Sequence, residues 1–336
     1  MSLPADPDAS LIEDSVRYLA SDAALASLAG DCYWPKWDSP WWHMLLLHEM
    51  GQTAHIPQRA AEAMVAALNA SPPIFPIRPE DLPAGVDPMA TPCHCALGCM
   101  YQVLAARGVD VDRELPWIRP WFLRYQMADG GLNCDTDAYL VQDECPSSMV
   151  GTIAPLEAVL LYTPRPWTPE ETEFLRRAAG FLIERRLHRG SPTRHNREER
   201  DAARSWAKLC FPRFYFYDVL RGLRALLLWA AKTGARLPAS AVTPIATYLE
   251  RAFPEGMLRI GRCAYEGKPS RQRLESGAWV RGQPASYFPL LAAVSAVGAS
   301  SPYLTRQWQE CRDLLARVPL RPEPEGDDAD HPIADR

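Results

Sequence analysis

Between residues 116 and 162 the chain passes from mixed polar and apolar positions to wholly apolar ones, and the rest of the chain repeats that passage. Trp117, Trp121, Phe122 and Tyr125 recur at helical spacing, and after Gln126 the pair Gly130-Gly131 breaks the pattern. This predicts an outer, amphipathic helix that ends in a turn. A polar loop carries Cys134, Asp135, Asp137, Asp143 and Cys145, and then comes Pro146, whose fixed φ and missing N–H suit the first turn of a helix. Ser147 and Ser148 can cap its amides, and the small apolar run over 149–161 predicts a helix buried on most sides.

Apolar stretches of the same form, opened near a proline and closed near a glycine, occupy 32–51, 92–108, 212–234 and 284–298. Amphipathic stretches lie between them at 58–69, 113–126, 169–187, 239–253 and 303–318. An opening amphipathic helix is expected over 9–28, with Leu11, Ile12, Val16, Leu19 and Leu25 on one side. Alternation at a period of roughly 50 to 70 residues marks a repeat architecture. Each inner helix is reached through an outer one, so the inner helices should run parallel and gather their N-termini at one end. The expected fold is all-α: an α/α toroid of about five to six inner/outer helix pairs, filling residues 1–319 as one domain, closed by the first helix and without a sheet.

Two segments depart from this plan. Residues 185–204 are dense in arginine and poor in apolar side chains, which predicts a mobile loop or, as the sharper option, a lid that grips an anion. Residues 320–336 hold too little apolar surface to fold, and a disordered acidic tail is expected there.

Composition narrows the function classes. With 47% hydrophobic and 23% charged residues the chain reads as globular, and no apolar run reaches membrane-spanning length. No basic flank and apolar segment open the chain, so a cytoplasmic location is expected, with the nine cysteines as thiols or metal ligands rather than disulfides. A net charge of −5 argues against general nucleic-acid binding.

Candidate chemistry gathers where the inner helices begin. Cys93, His94, Asp143 and Cys145 have the donor types of a catalytic zinc site with three protein ligands and one open position. The alternative is that these cysteines are small buried hydrophobes. A thiolate is a third option, because a helix N-terminus lowers a cysteine's pKa; Cys93, Cys134 and Cys145 are best placed for it. Trp41, His43, Tyr215, Tyr217 and Tyr287 would line a cavity for a hydrophobic small molecule, where aromatic rings steady positive charge, or would serve as packing. Asp218 and Arg221 read as a structural pair, and Glu157 stands in an apolar helix with no evident partner.

The run over 121–132, WFLRYQMADGGL, resembles the QW-type repeat of squalene–hopene cyclases and related terpenoid cyclases, with Leu132 in the place of the last aromatic. CPSSMVGTIAPLEAVLLY and FPRFYFYDVLRGL resemble bacterial prenyltransferase and squalene-oxidase repeat proteins. The resemblance spans about 32–318 and implies the toroid fold. It also implies a cyclase or transferase acting on an isoprenoid-like substrate in the central cavity. Asp135-Thr136-Asp137-Ala138 matches the Asp-X-Asp-Asp acid motif of those cyclases except at its last position, which implies catalytic roles for Asp135 and Asp137. A solvated or helix-capping turn is the alternative. Asp143-Glu144-Cys145 stands where protein prenyltransferases carry a zinc-binding Asp-X-Cys, whereas Tyr215 stands near the position of their zinc histidine. A toroid that binds a lipid or a partner peptide without catalysis is the competing function.

Overall fold

The structure, a computed structural model, describes residues 9–70, 94–135, 137–141, 143–277, 279–284 and 288–322. Its opening helices are α1 (Ala9–Leu19), α2 (Asp22–Gly30), α3 (Pro40–Glu49) and α4 (Gln58–Ala70). The middle of the chain forms α5 (His94–Arg107), α6 (Val111–Glu114), α7 (Ile118–Arg124), α8 (Asp137–Leu140), α9 (Met149–Tyr162) and α10 (Pro169–Glu184). It ends with α11 (Arg197–Ala203), α12 (Val219–Thr233), α13 (Ala239–Ala252), α14 (Pro289–Val294) and α15 (Pro302–Leu315). Among the described residues no helix is long and apolar enough to cross a membrane.

Local signals set many of these boundaries. Pro40 and Pro169 open α3 and α10 at their first positions, and Thr168 with Glu171 completes a capping box. Ser148 caps α9 by accepting the Gly151 amide, as the serine pair predicts. Gly234, at φ 71, ends α12 in the left-handed conformation.

Packing then separates two kinds of helix. α5 is buried at every position over 94–104, and α9 is buried along nearly its whole length. Gly98 lies directly against the Ala154 and Pro155 backbone, while Gln102 Nε2 donates to Ala154 O at 3.0 Å and to Glu157 at 3.4 Å. Contacts that advance together along both helices make α5 and α9 parallel. The C-terminal ends of α3 and α9 also meet, through His48 and Tyr162 at 3.4 Å. Glu157 joins α9 to α12 through Arg221. A cavity of about 380 Å³ is lined from α3, α5, α9, α12 and α15.

The fold corrects five expectations. Sheet is present: β2 (Pro269–Arg273) and β3 (Trp279–Pro284) form an antiparallel hairpin, and β1 (Leu237–Pro238) pairs in parallel with β4 (Leu320–Arg321). Leu320 and Arg321 are therefore paired chain rather than tail, because their backbone finds a partner after α12; residues 323–336 lie outside the described residues. The helix expected from Pro284 begins only at Pro289, since Pro284 closes a strand. Similarly, α12 begins at Val219 instead of Pro212, where Asp218 supplies the cap by accepting the Arg221 amide at 2.9 Å. The arginine-rich segment is structured: α11 forms within it, and Ser191 and Glu199 are buried.

Candidate functional site

At the N-terminal ends of α5 and α9 lies a cleft of about 740 Å³. Its floor is the loop before α8, held by His94 at the start of α5. His94 is fully buried; its Nδ1 lies 2.7 Å from Asn133 O, and its Nε2 accepts from Trp121 Nε1 at 3.1 Å. Those contacts place the ring proton on Nδ1 and commit both nitrogens. Tyr139 OH accepts the Asn133 amide at 3.0 Å, which fixes the loop one residue ahead of Cys134. There the Cys134 sulfur accepts the Cys95 amide, from the first turn of α5, at 3.4 Å. The sulfur therefore sits at the positive end of the α5 helix dipole. Cys134 is half-buried and lines the cleft.

The facing wall comes from the segment after α10 and the loop before α12. Trp206 packs edge-on to Tyr217 at 4.9 Å, and Phe216 adds a third ring. Arg262 fixes this wall by donating from Nη2 to Tyr217 O at 2.5 Å and from Nε to Lys208 O at 3.0 Å. Beneath the wall Glu199 accepts the Met149 amide at the start of α9 and lies 3.8 Å from Arg185. His195, on the rim, contacts Glu144 at 2.9 Å, and this bond holds the Glu144 carboxyl below its ordinary range.

Burial raises the Glu199 pKa to about 7, against the opposing pull of the Met149 amide and Arg185. The folded value exceeds the ordinary 4.5, so between these limits the folded chain binds more protons than the unfolded one. Its stabilising contribution is complete below 4.5 and is lost as pH rises through 7. From about pH 5 to about pH 8 the wild type is expected to lose stability relative to Glu199→Gln, on the order of 3 kcal/mol. Urea unfolding at both pH values measures this. A difference that stays constant would show that Glu199 is ionised throughout.

The cleft brings together only part of the expected set. Cys134, Asp135, Asp137 and Tyr217 line it. Asp135 acts as a cap, its Oδ1 accepting the Asp137 amide at 3.1 Å, and both carboxylates are exposed. Water around them disfavours the dry, acidic setting that protonation of an alkene requires. Tyr215 faces a neighbouring cavity with Trp37 and Phe216. Trp41 packs in the core, 4.1 Å from the Trp42 ring, and His43 stacks on Phe288 at 3.6 Å. Burial lowers the His43 pKa to about 3, so it is a neutral packing group. Cys93 and Tyr287 lie outside the described residues.

Of the expected zinc donors, the three among the described residues, His94, Asp143 and Cys145, do not come together. His94 has no open nitrogen, Asp143 is exposed, and Cys145 Sγ accepts the Asp129 amide at 3.4 Å. Among the described residues no three His, Cys, Asp or Glu side chains form a metal-holding group. The Asp218–Arg221 pair is also redrawn: Arg221 pairs with Glu157 at 2.6 Å, and Asp218 pairs with Arg213 at 2.7 Å. In the loop before a capped helix, Arg213 can reach back to the cap carboxylate, whereas the Arg221 side chain points across to α9.

Sequence reasoning missed Glu199, Trp206 and Arg262 as parts of the cleft. The signal for α11 was present in Asn196 followed by Glu198 and Glu199, a cap residue and acidic first turn, but the arginine density around it masked it. Comparisons of the chain with protein-family models, with curated proteins and with solved structures found no match.

Proposed function

We propose that the helices close into an α/α toroid and that the chain is a cyclase- or transferase-like enzyme for a hydrophobic, isoprenoid-like small molecule, with Cys134 as its reactive group. The shared cavity of α3, α5, α9, α12 and α15, together with the parallel run of α5 and α9, supports the toroid. One observation carries the chemistry: the α5 N-terminal amide donates to the Cys134 sulfur on the floor of the cleft, opposite an aromatic wall. In this reading the apolar body of the substrate lies against Trp206, Phe216 and Tyr217. The thiolate attacks an electrophilic carbon, forming a C–S bond as the leaving group departs with its bonding electron pair toward Arg262 and Lys268 at the rim; the acceptor nucleophile then takes that carbon, and the C–S electron pair returns to Cys134.

Alkylation by iodoacetamide, followed by mass spectrometry of each cysteine peptide, tests the reactive group. At about pH 7 Cys134 is expected to react roughly tenfold faster than Cys263, another half-buried cysteine. Cys134→Ala is expected to abolish turnover while leaving retention of a lipid extract unchanged. Equal alkylation rates would overturn the thiolate assignment. The non-catalytic reading, a toroid that holds a lipid or a peptide, draws on the structural employment of Asp135 and His94. It predicts full retention with no product from any variant.

A further inference from the structure

A second cavity, of about 430 Å³, adjoins the Cys134 cleft and shares Phe216 and Lys268 with it. One side is aromatic: Trp34, Trp37 and Tyr215 are buried there, and the Trp37 ring lies parallel to that of Phe216, with centroids 6.1 Å apart. The charged positions are Lys36, Lys268 and Arg281, and among the described residues no Asp or Glu lines the cavity. The chain as a whole carries a net charge of −5. The positive lining arises locally, because residues 262–281 carry Arg262, Lys268, Arg271, Arg273 and Arg281 against only Glu266 and Glu275.

The cations are set in place by different parts of the fold. Lys36 has a left-handed backbone, at φ 58, and its ammonium lies 5.4 Å from the Trp37 and Tyr215 ring centroids, 5.6 Å from Tyr33 and 5.8 Å from Trp34. The aromatic faces hold that ammonium at the edge of the cavity. Lys268 is fixed by its backbone, whose amide donates to Tyr265 O at 3.1 Å just before the hairpin. Arg281 stands on β3 of the hairpin. Three positive groups around one small, aromatic-walled space repel a cationic ligand and favour an anion with an apolar or flat body.

We infer that this cavity is a binding site for an organic anion, a carboxylate, sulfonate or phosphate, whose apolar body lies along Trp37 and Phe216 while its charged group meets Lys268 and Arg281. The inference goes beyond the reading of Cys134 and does not depend on that thiol being reactive.

The test uses two fluorescent probes with the same aromatic body, anionic 1-anilinonaphthalene-8-sulfonate and neutral N-phenyl-1-naphthylamine. Both are titrated into the full chain and into a Lys268→Ala, Arg281→Ala double variant; both side chains are exposed, so the fold should tolerate the change. The sulfonate probe is expected to bind the double variant roughly tenfold more weakly or worse, with the neutral probe unchanged. Raising salt from about 50 to about 500 mM should weaken only the sulfonate probe. Equal affinity of the sulfonate probe for wild type and double variant would overturn the site, as would parallel losses for both probes. Cys134→Ala is expected to bind the sulfonate probe as the wild type does; loss of binding there would show that the probe occupies the Cys134 cleft instead. An inert Cys134 in the alkylation experiment, with sulfonate binding intact, would remove the catalytic reading and leave this site standing.

Discussion

Glu157→Ala is expected to lower the stability of the chain by about 3–5 kcal/mol. Glu157 and Arg221 are each 7% exposed, and the guanidinium spans the carboxylate with contacts of 2.6 Å from Nη2 and 3.1 Å from Nε. Removing the carboxylate leaves a buried positive charge, a larger loss than that of the contact itself. Arg221 Nη1 also donates to Phe214 O at 3.1 Å and to Phe216 O at 2.8 Å, so the aromatic loop before α12 depends on the same ion. A Glu157→Leu, Arg221→Met double variant should lose less than the single one, though not nothing, because the two carbonyls lose their donor. Urea unfolding of the three chains measures this, and a single-variant loss below about 1 kcal/mol would mean that water already screens the pair.

Gly98→Ala is expected to be the second large loss, at about 1–3 kcal/mol. A Cβ built at Gly98 meets Ala154 C and Pro155 N at 2.5 Å, and both are backbone atoms that cannot rotate away. The substitution would push α5 from α9 and carry the Cys95 amide away from the Cys134 sulfur, so Cys134 alkylation should slow as stability falls. Gly180→Ala is the control. Gly180 lies inside α10 with nothing within 4 Å of a built Cβ, so alanine there should raise stability by about 0.5–1 kcal/mol. Equal thermal midpoints for the two variants would show that α5 and α9 have room between them.

These two variants also mark where the sequence stops being informative. Glycine in the apolar run of α5 is visible in the sequence, but its meaning is not, because its neighbour is 56 positions away at Ala154. Glu157 likewise stood out as a charge in an apolar helix, while Arg221, 64 residues on, was assigned to the wrong carboxylate. Spacing of three on one helix suggested Asp218; the cap geometry instead turned that carboxylate toward the backbone amide and Arg213.

By itself the sequence determined the helical class, the alternation of buried and amphipathic helices, and many of their ends. Those features depend on residues within a few positions of one another: Ser148 over α9, Thr168 with Glu171 over α10, and the unbroken apolar run of α5. Tertiary structure alone decided which of the suspected groups meet. It spent His94 on Asn133 and Trp121, left Asp143 in solvent, brought the α5 amide to Cys134, and folded the arginine-rich segment into the facing wall. The physical reason is that a hydrogen bond or an ion pair needs convergence within about 3–4 Å. Helix packing supplies that convergence between residues tens of positions apart, and nothing in local spacing records it.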